Sequence, residues 1–151
     1  MSDYEFTIAL CIRHPTIDPS RITDSLGIEP QHTWKAGKRR CDDAGAELEG
    51  VYRESYWTGL LMAEPQLSAE QMSVERVLEQ SLAQLHRAHD FLVQLNTDGG
   101  VVTLLVNLFS RGVLRLDLSA ELLVSLGRLG LSIALDIHPH SPQHTAATAA
   151  N

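Results

Sequence analysis

The chain has 151 residues, which is enough for one domain with a hydrophobic core. It carries 19 acidic and 12 basic side chains, a formal net charge of −7, and 44% of its residues are hydrophobic. This acidity argues against general nucleic-acid binding, and no apolar run is long enough for a membrane span. The acidic N-terminus is unlike a secretory signal, so we expect a cytoplasmic protein with two free thiols, Cys11 and Cys41.

The first predicted unit is a strand followed by a short helix. Apolar and polar side chains alternate over residues 6–13, and Pro15 ends the strand because proline cannot donate to a sheet ladder. Asp18 suits the N-cap of the helix, Pro19 its first position and Gly27 its C-terminal stop.

The middle of the chain predicts a loop, a strand and a long helix. Residues 31–50 are polar and glycine-rich, which favours a long loop with a short strand near Trp34. Residues 51–62 are again rich in β-favouring side chains, and this pattern predicts a strand. Apolar residues then recur at three- and four-residue steps over 68–96, which predicts one amphipathic helix.

The C-terminal part predicts two strands, a helix and a last strand. Residues 101–109 are apolar on both faces, as in a central strand. A turn at 110–112 joins them to a predicted strand at 113–118, which makes a hairpin. Ser119 then caps a helix, and the alternation over 131–137 predicts the last strand.

The element order suggests a fold class. From residue 51 onward it is strand, helix, strand, strand, helix, strand, the order of a ferredoxin-like βαββαβ element. The N-terminal strand and helix would extend the same sheet. We therefore predict an α+β fold with a mostly antiparallel sheet and helices packed chiefly on one face. One domain would span residues 1–138, followed by a flexible tail at 139–151.

A cluster of cations beside a tryptophan is the strongest candidate for a binding site. It comprises Lys35, Lys38, Arg39 and Arg40, next to Trp34. Guanidinium groups hydrogen-bond carboxylates or phosphates in pairs, and an indole offers a flat stacking face. The cluster therefore suits an acidic partner loop, a nucleotide or another anion. The alternative is a basic loop that faces water, with Trp34 buried as a core anchor.

Trp57 is the second aromatic candidate. In a strand, Tyr56 and Trp57 point to opposite faces, and only one face must pack on the helices. The other face is available for contact with a partner, where aromatic residues often act as anchors. Trp57 therefore joins the candidate binding residues, although core packing explains a tryptophan better.

No set of side chains amounts to a catalytic constellation in the sequence. His86 and His89 are three residues apart on the predicted helix but lack an evident third metal ligand. Cys41 has cations nearby but no partner base. We predict no catalytic residue, no metal site and no cofactor, and keep an enzyme that uses His86 or Cys41 as a reserve hypothesis.

Short motifs along most of the chain carry a resemblance to a known family. They are Asp18-Pro19, Ile22-Thr23, Leu26-Gly27-Ile28-Glu29-Pro30, Trp34, Gly37, Trp57, the leucine-rich helix, and Leu126-Gly127 through Leu135-Asp136-Ile137. In these the chain resembles the small bacterial proteins catalogued as domain of unknown function 4279. The resemblance implies a compact bacterial α+β domain, in some members an immunity-type protein that neutralises a toxin. It implies no reaction, cofactor or catalytic residue, and the run Lys38-Arg39-Arg40 matches no family motif.

The sequence thus predicts a non-catalytic cytoplasmic binding module whose partner is another protein. An acidic body suits a basic partner, such as a nuclease toxin. The alternative is a small-anion or nucleotide-binding domain that uses Trp34 and residues 38–40. An unpaired strand edge would also permit a homodimer.

Overall fold

A computed structural model describes residues 4–62, 67–68 and 72–139 of the chain. The strands are β1 (Tyr4–His14), β2 (His32–Trp34), β3 (Arg39–Cys41), β4 (Glu47–Val51), β5 (Ser55–Leu60), β6 (Leu67–Ser68), β7 (Val101–Ser110) and β8 (Leu131–His138). The helices are α1 (Pro19–Leu26), α2 (Val74–Leu85), α3 (His89–Thr97) and α4 (Ala120–Arg128), with one turn of 3-10 helix at His86–Ala88 between α2 and α3.

The main sheet has the strand order β2-β5-β1-β7-β8, and β6 pairs with the start of β1. Neighbouring strands are antiparallel except β7 and β8, which are parallel and joined through α4. Strands β3 and β4 form a separate hairpin. The predicted α+β fold with a mostly antiparallel sheet is confirmed.

The two central strands have one fully buried face. Eight of their even-numbered side chains are 0% exposed: Phe6, Ile8, Leu10 and Ile12 in β1, and Val102, Leu104, Val106 and Leu108 in β7. These side chains share one core with apolar residues of α2, α3 and α4. Odd-numbered neighbours such as Thr7, Cys11 and Thr103 are half-buried, so the helices pack chiefly on one face, as predicted. We call the opposite face of the sheet, which carries these odd-numbered residues, the outer face.

Two helix starts follow the predicted capping chemistry. The Asp18 carboxylate accepts the Ser20 backbone N–H at 3.0 Å, and Gly27 ends α1 with φ at 66° in the left-handed region. The Ser119 hydroxyl accepts the Leu122 backbone N–H at 3.1 Å and begins α4. These local signals place both helices where the sequence predicts them.

The predicted helix over 68–96 is wrong in its start and in its continuity. Residues 67–68 belong to β6, and the helix begins only after Ser73, whose side chain accepts the Arg76 N–H. The 3-10 turn then separates α2 from α3. The apolar stripe continues across this turn, which is why periodicity alone does not reveal it.

The predicted loop over 31–50 contains three short strands. The strand near Trp34 is confirmed as β2, but the rest is the β3–β4 hairpin. Tyr52 stabilises this hairpin, because its backbone N–H donates to Lys38 O at 2.9 Å and its hydroxyl accepts the Cys41 N–H at 3.2 Å. All residues of β3 and β4 are exposed, so they show no burial period.

The predicted strand at 113–118 is wrong, since these residues form neither helix nor strand. Leu114, Leu116 and Leu118 pack on the core from an irregular segment, and the Asp117 N–H donates to Glu75 Oε1 at 3.1 Å rather than to a strand. The ferredoxin-like element is therefore not confirmed. Strand β1 lies at the centre of the sheet, between β5 and β7.

Apart from residue 139, the predicted tail at 139–151 lies outside the described residues. Within those that are described, no helix is long and apolar enough to span a bilayer.

Candidate functional site

Two of the four predicted cations are paired with carboxylates. The Lys35 ammonium lies 3.4 Å from Asp18 Oδ2, and both side chains are partly exposed. The Arg39 guanidinium lies 3.0 Å from Glu47 Oε2 across the hairpin. The two carboxylates offset part of the positive charge of the cluster, which lowers its attraction for an external anion.

Lys38 and Arg40 are the more available cations of the cluster. Both are exposed on the hairpin. Arg40 Nη1 lies 3.5 Å from the Glu49 carbonyl, a long contact, while the Lys38 side chain has no hydrogen bond or ion pair to any described residue. The structure therefore spreads the predicted cations over the hairpin and its stem instead of gathering them at one point.

Trp34 joins the hairpin to the outer face of the sheet. It pairs with Tyr56 across β2 and β5, so both side chains lie on that face. Its indole stacks on Tyr56 with centroids 4.2 Å apart and on Tyr52 with centroids 5.1 Å apart. Trp34 is half-buried, which makes it neither a core anchor nor a fully exposed stacking platform.

Trp57 lies in the core, with 0% of its surface exposed. Its indole N–H donates to Thr23 Oγ1 at 3.0 Å, which holds α1 on the sheet. The alternative interpretation of Trp57 as a core residue is confirmed. Its side chain is fully buried, so it has no exposed surface that a partner could contact.

A groove of about 460 Å³ lies between α1 and β2. Its lining includes Asp18, Asp24, Glu29, Trp34 and Lys35. The lining thus holds three carboxylates and one ammonium, and that ammonium is already paired with Asp18. The Ser20 backbone N–H, and then Lys35, hold the pKa of the Asp18 carboxyl below its usual value, so this carboxyl is ionised at neutral pH. The groove is therefore an acidic site that suits a cation.

Sequence reasoning missed this groove. It singled out the cations of residues 35–40 and did not use Asp24 or Glu29. The available signal was the spacing of acidic residues around one short helix, with Asp18 before it and Glu29 just after its glycine stop. Lys35 lies beside that helix only because β2, which directly precedes it, runs next to α1 in the fold.

Cys11 and Tyr56 interact on the outer face near its centre. Burial raises the pKa of the Cys11 thiol, an effect larger than the lowering by its hydrogen bond to Tyr56. Burial also raises the pKa of the Tyr56 hydroxyl. Both groups are therefore neutral at neutral pH, and Cys11 is a poor nucleophile there. His14 lies on the opposite, buried face of β1, so Cys11 and His14 do not form a nucleophile–base pair.

The remaining candidates for chemistry lie apart. His86 and His89 are exposed at the 3-10 turn, and His89 Nδ1 lies 3.1 Å from Asp90 Oδ1. Cys41 is an exposed free thiol on the hairpin. Across the described parts of the chain, no three His, Cys, Asp or Glu side chains are grouped as metal ligands would be.

Comparison with known proteins identifies a family and no function. No curated protein and no solved structure matches the chain. A family model, described as a domain of unknown function (DUF4279), matches residues 4–140. Because this match covers most of the chain, the protein belongs to the DUF4279 family.

Proposed function

We propose that this protein is a non-catalytic, immunity-type binding module that receives a basic partner protein in the groove between α1 and β2. The observation that carries the proposal is the composition of the groove, in which Asp18, Asp24 and Glu29 outnumber Lys35. A lysine or arginine of the partner would form charge-assisted hydrogen bonds to Asp24 and Glu29, because Asp18 is already paired with Lys35.

Two of the three carboxylates of the groove are available to a partner. Asp24 and Glu29 are exposed, and neither makes a side-chain hydrogen bond or ion pair to another described residue. The net charge of −7 adds a long-range field that would accelerate encounter with a basic protein. The groove would therefore supply the local contacts, and the net charge of the whole chain would speed the encounter with the partner.

Both walls of the groove are fixed by contacts to the sheet. The Trp57–Thr23 hydrogen bond and the buried side chain of Ile22 hold α1. Pairing with β5 and stacking of Trp34 on Tyr56 hold β2. A preformed surface loses less conformational entropy on binding, which favours recognition of a folded partner.

The second candidate function is binding of a small anion or nucleotide by the hairpin. Exposed Lys38 and Arg40 favour it. The pairing of Arg39 with Glu47 weakens it, because a phosphate would compete with a carboxylate already in place. The stacking contacts of Trp34 also cover part of the ring surface that a base would use. We therefore rank this candidate below protein binding.

A cross-linked pull-down from the native cell, quantified by mass spectrometry, tests the proposal. Wild type is compared with the double variant Asp24→Lys, Glu29→Lys, and with a charge-matched control, Glu79→Lys, Glu121→Lys, on the exposed surfaces of α2 and α4. We expect one basic protein to be captured by wild type and by the control but lost by the groove variant. Circular dichroism confirms that each variant is folded.

Other outcomes separate the two candidates. A partner lost only by Lys38→Glu, Arg40→Glu would move the binding surface to the hairpin. Capture of no protein by wild type would contradict protein binding, and a thermal-shift screen with phosphates and nucleotides would then test the second candidate.

A further inference from the structure

His14, at the end of β1, is buried with one ring nitrogen unpaired. The residue is 5% exposed. Its Nδ1 atom accepts the backbone N–H groups of Thr16 at 3.0 Å and Ile17 at 2.9 Å. Its Nε2 atom is also buried and has no hydrogen-bond partner among the described residues. Buried polar groups are nearly always hydrogen-bonded, so a partner for this nitrogen is to be expected.

The contacts of Nδ1 fix the chemistry of Nε2. A ring nitrogen that accepts two N–H groups carries no proton, so the neutral ring carries its proton on Nε2. We assign this tautomer from the hydrogen-bond geometry. Nε2 is therefore a donor, which an acceptor atom would satisfy; a metal ion does not fit.

An acceptor lies opposite this donor, slightly too far away. Asp98 Oδ2 is 3.9 Å from His14 Nε2, beyond hydrogen-bond distance. Gln94 holds the other carboxylate oxygen, since its amide N–H donates to Asp98 Oδ1 at 2.8 Å. One oxygen placed about 2.8 Å from both atoms would accept from Nε2 and donate to Oδ2. A hydroxyl group does both.

His14 and Asp98 both line a cavity of about 290 Å³. It is also lined by Asp18, Arg21 and Phe91. Arg21 adds donors, Asp18 adds an acceptor, and the half-buried ring of Phe91 adds an apolar wall. The two carboxylates disfavour an anion, and the Arg21 guanidinium together with the Nε2 proton disfavours a cation. The lining therefore fits a neutral molecule with several hydroxyl groups.

We propose that this cavity binds a small neutral polyol of monosaccharide size. One of its hydroxyls accepts from His14 Nε2 and donates to Asp98 Oδ2. The proposal is independent of the acidic groove, with which the cavity shares Asp18 but neither Asp24 nor Glu29. Asp98 terminates α3 and is partly exposed, so its substitution should leave the core intact.

Nuclear magnetic resonance of the ¹⁵N-labelled histidine rings tests the proposal. The His14 Nε2 resonance is followed while D-glucose, D-ribose or myo-inositol is added to the full chain. We expect a saturable shift with at least one probe, and a dissociation constant at least tenfold higher in Asp98→Ala. The matched control, Asp90→Ala on the same helix and outside the cavity lining, should bind like wild type.

Three outcomes would overturn the proposal. Absence of a saturable shift with all three probes would mean that water alone bridges His14 and Asp98. Equal affinity in Asp98→Ala would show that the carboxylate does not hold the ligand. A proton on Nδ1 instead of Nε2 in wild type would remove the donor from which the inference starts.

Discussion

The indole of Trp34 stacks on the ring of Tyr56, with centroids 4.2 Å apart and ring planes 18° apart. A second stacked contact, to Tyr52, connects the hairpin to the same indole. Each such pair adds about 0.5–1.5 kcal/mol beyond the area that it buries. We expect Trp34→Ala to lower the free energy of unfolding by about 1–3 kcal/mol, and Trp34→Phe by less. Urea unfolding followed by circular dichroism measures both. Equal losses in the two variants would show that stacking does not stabilise this edge.

Gly59 lies beside the buried ring of Trp57. A Cβ atom at Gly59 would lie 2.7 Å from Trp57 Cη2, closer than packed atoms approach. We expect Gly59→Ala to destabilise the fold by about 1–3 kcal/mol, as overpacking of a core does. Gly127 in α4 is the matched control, because a Cβ there meets no atom within 4 Å. Gly127→Ala should stabilise by up to about 1 kcal/mol. Thermal unfolding of both variants checks the pair, and an unchanged midpoint for Gly59→Ala would contradict the packing.

Cys11 and Cys41 should differ in reactivity. Burial raises the pKa of the Cys11 thiol, so little thiolate is present at neutral pH, whereas Cys41 is exposed. We expect iodoacetamide at pH 8 to modify Cys41 about tenfold faster than Cys11. The Cys11 rate should rise as the pH approaches its raised pKa. Peptide mass spectrometry of quenched samples gives both rates, and faster modification of Cys11 would refute the burial of its thiol.

Asp18 should give the fold an acid-sensitive contribution to stability. The N–H of Ser20, and then Lys35, lower the pKa of its carboxyl in the folded state. A lowered folded-state pKa means that the stabilisation is present above the unfolded-state pKa and is lost as pH falls through the folded-state pKa. Asp18→Asn keeps a capping oxygen but removes the charge.

Denaturant titrations of wild type and Asp18→Asn from neutral to acidic pH measure this contribution. We expect wild type to be the more stable at neutral pH and the difference to vanish toward acidic pH. A difference that stays constant with pH would show that the carboxylate charge does not stabilise α1.

Local chemistry made several elements predictable from sequence. Asp18 and Gly27 bracket α1, and Ser119 begins α4, because capping depends on neighbouring backbone groups only. The alternation over residues 6–13 predicts β1 because one face of that strand is fully buried. Its place at the centre of the sheet was not predictable, since it depends on pairing with residues about 50 and 100 positions away.

Exposure and distance in the chain explain what sequence reasoning missed. The hairpin of β3 and β4 is wholly exposed, so no hydrophobic period marks it. Residues 113–118 alternate like a strand, but their leucines pack on the core without joining a sheet. Within the candidate site, Trp34 and Lys35 were anticipated as binding residues. The pairing of Lys35 with Asp18 was not, because it requires the fold to return β2 to α1.

The measurement closest to the central claim is the affinity of the captured partner for the acidic groove. Purified partner would be titrated into wild type, the Asp24→Lys, Glu29→Lys variant and the Glu79→Lys, Glu121→Lys control at two salt concentrations. We predict a dissociation constant at least about tenfold higher for the groove variant, a much smaller change for the control, and weaker wild-type binding at high salt. Equal affinities for wild type and the groove variant would contradict the account.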